Sequence, residues 1–188
     1  MPQISGTERL VSSKFIRSLI MGLGDFEAEA LRILRRYDID IGVDGWYPQH
    51  LWIEALRDIA ERVGPTIMYL AGARILENLG YKTSGDPNER LRYAETFYQT
   101  YHRGGGFGSL RILSLNIQNG EARIMSDTPY PCDFERGVLI SILASDTPEE
   151  PRQVWVVHEN LGICRKKGSG SCKYVVRWGS KPIKSNCF

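Results

Sequence analysis

The sequence predicts an α+β fold in which N-terminal helices pack on a four-stranded antiparallel sheet. Apolar residues recur at helical spacing through the first hundred residues, the period changes to an alternation of two from Ser109, and Asn119-Gly120 marks a tight hairpin. Strands grouped after helices are typical of an α+β domain. We therefore predict a single domain over 1–188, with a mainly helical part at 1–107, a sheet part at 108–178 and a tail at 179–188.

Two helices are predicted within the first 37 residues. Leu10 and Leu19 belong to an apolar stripe at helical spacing, and Gly22 ends that run. Asp25 is placed to cap the second helix, whose apolar and charged residues fall on opposite faces. An extended connector over 38–47 follows, because its residues show no helical period.

Three further helices are predicted after this connector. Pro48 suits the first turn of the third, and Gly64-Pro65 ends it. The fourth, over 66–79, carries few charges and is therefore predicted to be central. The fifth, over 89–102, is rich in aromatic residues. Small residues in the fourth helix permit close approach of a neighbour, and these are Ala71, Gly72 and Ala73.

The sheet is predicted from two hairpins with a sixth helix between them. In the first strand, Leu115 is expected on the face opposite Leu110, because side chains alternate along a strand. The sixth helix spans 134–144, with Cys132 or Asp133 near its N-cap. The four strands are predicted at 109–116, 122–127, 153–158 and 173–178.

Composition limits the classes of function. Apolar residues make up 42% of the chain, charged residues 24%, and the net charge of +2 is too small to indicate a nucleic-acid partner. No apolar run approaches the roughly 20 residues that cross a bilayer, and the first residues lack a secretory signal pattern. We therefore expect a cytoplasmic protein, in which clustered cysteines bind metal or act in redox chemistry more often than they form disulfides.

Three of the four cysteines lie within residues 130–178, close to one of the three histidines. Cys164 and Cys172 flank a polar turn that contains glycine, Cys132 precedes the sixth helix, and His158 stands six residues before Cys164. Thiolate and imidazole are the ligands that Zn²⁺ prefers, and four of them close a tetrahedral structural site. The alternative is that these cysteines are small core residues. We predict the metal site.

Three blocks of this region resemble the 4-vinyl reductase domain, a small-molecule-binding family related to TRAPP vesicle-transport subunits and haem nitric-oxide sensors. The resemblance covers roughly 111–178. It implies helices on a four-stranded antiparallel sheet, frequent dimerisation and an apolar pocket between the two layers. The blocks are Pro131-Cys132-Asp133-Phe134-Glu135-Arg136-Gly137, Cys164-Arg165-Lys166-Lys167-Gly168 and Ser171-Cys172-Lys173-Tyr174.

The resemblance also implies a zinc held by a cysteine before the last helix, a carboxylate, and two cysteines eight residues apart. The three cysteine positions carry over to this chain. The carboxylate does not, because Leu161 stands in its place. We predict His158 as the fourth ligand, since a neutral imidazole suits three thiolates, whereas Glu159 would add a fourth negative charge. Glu159 remains the alternative.

A pocket for a small molecule is predicted beside the fifth helix, where aromatic rings recur within a turn of His102. Ordinary core packing of these rings is the alternative, and His102 could serve as a helix C-cap or as a haem ligand. The predicted pocket residues are Phe97, Tyr98, Tyr101 and His102, with Trp155 as a contribution from the sheet.

These observations favour a binding module over an enzyme, because no catalytic dyad or triad can be placed. We predict a sensor for a small apolar or aromatic molecule, assembled as a homodimer, with a structural Zn²⁺. Two alternatives remain: an accessory or catalytic protein in tetrapyrrole vinyl reduction, which the resemblance suggests, and a ligand-free dimerisation domain. No nucleotide-binding fingerprint is present, so no nucleotide cofactor is expected, and haem ranks behind zinc.

Overall fold

A computed structural model describes residues 8–81, 85–144 and 153–179 of the chain. It confirms the α+β class, with helices preceding a four-stranded antiparallel sheet and a sixth helix between the two hairpins. Residues 180–188 of the predicted tail lie outside the described residues. None of the described helices is long and apolar enough to span a membrane.

The helices lie close to their predicted positions. The predicted break between the third and fourth helices is confirmed, because the backbone of α3 (Gln49–Ala73) leaves the helical conformation at Gly64 (φ 78°, ψ 172°). α6 begins at Cys132, which is its first residue rather than its cap. The helices are α1 Ser13–Met21, α2 Glu27–Arg36, α3 Gln49–Ala73, α4 Ile75–Asn78, α5 Pro87–Tyr101 and α6 Cys132–Leu143.

The strands form two antiparallel sheets. The predicted four-stranded sheet has the order β4-β5-β7-β6, and a smaller sheet of order β2-β1-β3 was not predicted. The strands are β1 Leu10–Ser12, β2 Trp46–Pro48, β3 His102–Arg103, β4 Leu110–Asn116, β5 Glu121–Ser126, β6 Gln153–His158 and β7 Cys172–Gly179.

The smaller sheet corrects the predicted start of the first helix. Leu10 is not helical; it lies in β1, opposite Pro48 on one side and Arg103 on the other. The Ser12 side chain accepts a hydrogen bond from the backbone N–H of Phe15 at 3.3 Å. Because this N-cap satisfies a backbone donor that has no partner within the helix, α1 begins only after Ser12.

The strand β4 does not alternate as simply as predicted. Its register with β5 shifts between Ile112 and Ser114, which is the signature of a β-bulge. Beyond the bulge, Leu115 lies opposite the buried Ala122. Leu115 therefore shares a face with Leu110, contrary to the prediction, because one extra residue reverses the direction of every later side chain.

Two glycines bring α3 and α6 into close contact. A Cβ atom at Gly72 would lie 2.1 Å from the carbonyl oxygen of Phe134, and one at Gly137 would lie 2.1 Å from that of Tyr69. This confirms that small residues in the fourth predicted helix permit close approach. α6 also packs against the strands β6 and β7, so it lies between α3 and the sheet.

Gly137→Ala should therefore destabilise the protein strongly, by about 3 kcal/mol, because the added methyl group meets helix backbone that cannot move aside. Urea unfolding followed by circular dichroism measures this. Gly45→Ala is the matched control, since a Cβ at Gly45 meets no atom within 4 Å. Equal loss of stability in the two variants would show that the helix contact is not as close as described.

Candidate functional site

The four side chains predicted as metal ligands meet where α6 faces the second hairpin. Cys132 begins α6, His158 ends β6, and Cys172 begins β7. The Sγ atom of Cys164 lies 3.6 Å from that of Cys132, 3.5 Å from that of Cys172 and 3.3 Å from Nε2 of His158. All four ligand atoms lie within 4.8 Å of one another, and we call this group the thiol–imidazole cluster.

The dimensions of this cluster match the coordination shell of a single ion. A tetrahedral metal with metal–sulfur bonds of about 2.3 Å separates its sulfur ligands by about 3.8 Å. The three cysteines are buried and are not joined by disulfides. Glu159, the alternative fourth ligand, is exposed and forms an ion pair with Arg123 at 3.1 Å. The geometry therefore groups His158, and not Glu159, with the thiols.

The thiols differ in their readiness to ionise. Burial raises the pKa of Cys132 to about 12, and the neighbouring Cys164 adds to this effect. Burial acts in the same direction on Cys172, but a hydrogen bond from the backbone N–H of Arg165 and the positive charge of that residue lower the pKa of the thiol overall. Cys172 is thus the sulfur prepared to be a thiolate, which is the form that binds metals.

A buried carboxylate that the sequence analysis missed supports the same region. Glu135 of α6 is fully buried and accepts hydrogen bonds from Ser126 Oγ at 2.6 Å and from the hydroxyl of Tyr174 at 2.9 Å. Thr128 Oγ1 and the Arg165 guanidinium also donate to it. Burial raises the pKa of Glu135, and Arg165 opposes that rise. The sequence did not single out Glu135, because Asp133 and Arg136 are charged residues of the same helix.

The residues predicted to line a pocket lie in a packed aromatic cluster around Phe15. The rings of six side chains have centroids 5.3–6.2 Å from the Phe15 centroid. The cluster therefore joins α1, α5 and α6 through ring contacts. Its members, besides Phe15, are Phe97, Tyr98, Tyr101, His102, Tyr130 and Phe134.

A chain of hydrogen bonds runs through this aromatic cluster. Nδ1 of His102 lies 2.6 Å from the carbonyl oxygen of Tyr98, which can only accept, so this nitrogen carries the proton. Nε2 then accepts from the Tyr130 hydroxyl at 2.5 Å, and Trp52 Nε1 donates to the same hydroxyl at 3.3 Å. His102 is thus a neutral imidazole that caps the end of α5.

Trp155 lies elsewhere. It is half-exposed on β6, opposite Arg177 of β7, and directly opposed residues share a face of a sheet. Arg177 is exposed, whereas the next pair along, Val156 and Val176, is buried. The sheet therefore presents Trp155 to its outer face and not to the helices.

A cavity of about 600 Å³ opens between α3 and the segment 129–133, and we call it the α3 cavity. Its walls are mostly apolar. Tyr130 links it to the aromatic cluster and Cys132 links it to the thiol–imidazole cluster. Its lining also includes Leu56, Ala60, Met68 and Arg165.

Comparison with known proteins identifies the fold. No family model and no curated protein matches the chain. Among solved structures it is similar to an H-NOX protein from S. oneidensis in the Fe(II)NO ligation state, with a TM-score of 0.62 and 11% identity over 89% of this chain and 99% of that chain. It is also similar to the unliganded Fe(II) H-NOX protein from K. algicida, with a TM-score of 0.58 and 11% identity over 92% and 98% of the two chains. At this identity the similarity shows the fold alone.

These comparisons correct two sequence-based predictions. The resemblance to the 4-vinyl reductase domain is contradicted, because the structural neighbours are H-NOX domains and no family model matches. The cofactor prediction, Zn²⁺ with haem in second place, is also contradicted, because H-NOX domains bind haem. The cysteine pattern thus predicted which side chains lie together, whereas the family resemblance drawn from it is wrong.

The residues around His102 do not fit a haem in the described arrangement. Nε2, the nitrogen that could bind iron, is bonded to the Tyr130 hydroxyl at 2.5 Å. One face of the imidazole stacks on Phe107, with ring centroids 5.1 Å apart, and Phe15 meets the ring edge-on at 5.3 Å. An iron ligand role for His102 would therefore require Tyr130 to move.

The buried imidazole makes stability depend on pH. Burial lowers the pKa of His102 to about 4, although its bond to Tyr98 opposes this, whereas the unfolded value is 6.5. As the pH falls, the unfolded chain binds the proton first. The contribution of His102 to the free energy of unfolding is therefore fully present above pH 6.5 and is lost as the pH falls toward 4. The full loss from this group is about 3 kcal/mol.

Urea unfolding at pH 7 and pH 5 measures this dependence. His102→Gln should flatten part of the pH dependence, because glutamine does not titrate. The contribution of His158, whose pKa burial also lowers, would remain in that variant. An unchanged pH profile in His102→Gln would show that His102 is not held as a neutral, buried base.

Proposed function

We propose that the chain is a sensor module that binds a small apolar or aromatic molecule in the α3 cavity. The observation that carries this proposal is that two residues of the cavity wall, Tyr130 and Cys132, each belong to a buried cluster. The volume of the α3 cavity, about 600 Å³, suits a small ligand, since such sites usually enclose about 300–1,000 Å³. The fold shared with H-NOX proteins, some of which are described in ligated states, supports a sensor role.

A ligand in this cavity would act on two connected parts of the molecule. Contact with Tyr130 would disturb the hydroxyl that bridges Trp52 and His102, at the junction of α5 and β3. Contact with Cys132 would disturb the link between α6 and the second hairpin. Binding energy could therefore shift the relative positions of helices and sheet, provided that the ligand prefers one arrangement.

We further propose that the thiol–imidazole cluster holds one metal ion, which fixes the start of α6 to the hairpin. Three thiolates and an imidazole satisfy a tetrahedral ion completely, so the ion would be structural and would not carry an open position for a substrate. Metal binding energy would then be folding energy for the loop between His158 and Cys172. The identity of the ion is left to measurement.

Homodimerisation stays a prediction. Leu70 of α3 is 40% exposed, which leaves an apolar contact available on the helix surface. The comparisons do not favour the two alternative functions, vinyl reduction and a ligand-free dimerisation domain.

Filling the α3 cavity should abolish ligand binding without unfolding the chain. Ala60 lies in the cavity wall and is only partly buried, so Ala60→Phe should project its ring into the space. A thermal-shift screen of phenols, isoprenoids and fatty acids would provide ligands for calorimetry. We expect Ala60→Phe to weaken their binding at least about tenfold, or about 1.4 kcal/mol. Ala28→Phe is the matched control, because Ala28 is exposed on α2.

Two results would contradict this assignment. A ligand that binds wild type and Ala60→Phe equally well would place its site elsewhere in the protein. Stoichiometric haem binding, with an absorption band lost in His102→Ala, would show that the aromatic cluster rearranges and that iron is the sensing centre.

The purified, reduced protein should contain about one equivalent of a transition metal. Cys164→Ser should lose that metal and much of the stability of the hairpin, because Cys164 lies nearest to all three other ligand atoms. Elemental analysis by mass spectrometry, with circular dichroism to follow unfolding, measures both effects. The same substitution at Cys187, which lies outside the described residues, should leave the metal content unchanged.

One variant of His158 and one of Glu159 test which residue is the fourth metal ligand. His158→Ala should reduce metal retention, whereas Glu159→Ala should not, because Glu159 pairs with Arg123. Metal-free protein that is fully folded after purification without chelators would refute the metal proposal.

A further inference from the structure

A second, polar cavity of about 660 Å³ adjoins the α3 cavity, and we call it the polar cavity. The two share Ile53, Arg57, Pro129 and Arg165 in their walls, so together they form one continuous groove. The groove follows a single face of α3, because residues 49, 53, 56 and 60 are spaced by three and four positions. One elongated molecule could therefore occupy both cavities.

The two ends of this groove differ in chemistry. The lining of the α3 cavity is mostly apolar, with contributions from Leu56, Ala60 and Met68, and it also includes charged side chains. The polar cavity has a larger polar share in its lining, which includes Arg9 and Gln49 besides apolar groups such as Phe107. A matching ligand would carry an apolar body and a polar head.

Two buried donors in this groove lack a partner among the described residues. Gln49 is only 5% exposed, and its Nε2 has no hydrogen-bond acceptor. The Nε atom of Arg165 is likewise buried without an acceptor. Both residues line the polar cavity. An unpaired buried donor costs about 1–3 kcal/mol, so a ligand that supplies an acceptor here would gain binding energy from both groups.

We propose that the groove binds a monocarboxylate with an apolar body. The carboxylate would accept from Gln49 Nε2 and Arg165 Nε, and the apolar body would lie against Leu56, Ala60 and Met68. This inference rests on the proposed function and adds the chemical class of the ligand. A carboxylate fits better than a neutral acceptor, because hydrogen bonds between charged groups are the stronger ones.

The surrounding charges favour a single negative charge on the ligand. Glu8, Glu54 and Asp127 also line the polar cavity, together with the arginines. Asp127 already accepts from the backbone N–H of Ser109 at 2.7 Å and pairs with Arg111. The two glutamates would repel a phosphate or a dicarboxylate more strongly than a monocarboxylate.

Decanoate, decan-1-ol and decylamine are suitable probes, because they share one chain and differ in the head group. Titration calorimetry on the purified, full-length protein should show that decanoate binds at least about tenfold more tightly than the other two. Gln49→Glu keeps the side-chain shape but replaces the donor with a negative charge. It should weaken decanoate binding at least about tenfold and favour decylamine.

Gln153→Glu is the matched control. Because Gln153 is exposed on β6, this substitution should leave the affinities for all three probes unchanged. Gln49→Met removes the donor without adding charge, and it serves as a second variant if Gln49→Glu unfolds. Circular dichroism identifies any variant that is not folded.

The outcomes separate this inference from the proposed function. The carboxylate assignment would be overturned if decan-1-ol bound as tightly as decanoate and if neither Gln49 variant changed the affinity for decanoate. Binding that Ala60→Phe abolishes would in that case still support the proposed function. Binding of aromatic ligands alone would also overturn the carboxylate assignment. If no probe and no screened molecule binds, the proposed function itself fails.

Discussion

The buried carboxylate of Glu135 is the constraint on which the C-terminal half of this fold depends. A charge removed from water costs several kcal/mol unless it is fully hydrogen-bonded, and Glu135 is satisfied by four side chains. These donors come from β5, the segment after it, the hairpin loop and β7. Arg165 can reach Glu135 only if the loop folds back over α6. That path also brings Cys164 beside Cys132, so the thiol–imidazole cluster follows from the ion pair.

The contact between α3 and α6 fixes the other side of the site. Gly72 and Gly137 let the two helix backbones touch at one level. The helix α3 kinks at Gly64, before that contact, and its earlier turns face the segment 129–133. The α3 cavity lies in this region. Tyr130 and Cys132 of its wall belong to the aromatic cluster and the thiol–imidazole cluster. A ligand in the cavity would therefore contact both clusters.

Large side chains fill the interior around His102. The H-NOX structures to which this chain is similar are described in Fe(II) ligation states. In this chain, Tyr130 occupies the Nε2 side of His102, and Phe107 stacks on its ring. The open space lies instead along α3. A few large side chains thus decide where space remains between the helices and the sheet.

The sequence by itself determined the features that depend on neighbouring residues. Hydrophobic period located most of the helices and strands, Asn119-Gly120 located a turn, and residue chemistry selected four side chains that lie together in the structure. Only the tertiary structure decided that Leu10 is a strand residue, because β1 pairs with segments distant in sequence. Local sequence patterns also did not predict the bulge that turns Leu115 inward, the burial of Glu135 or the position of the cavity. Each arises from contacts across the packed molecule, where close packing and the need to satisfy buried polar groups override local preference.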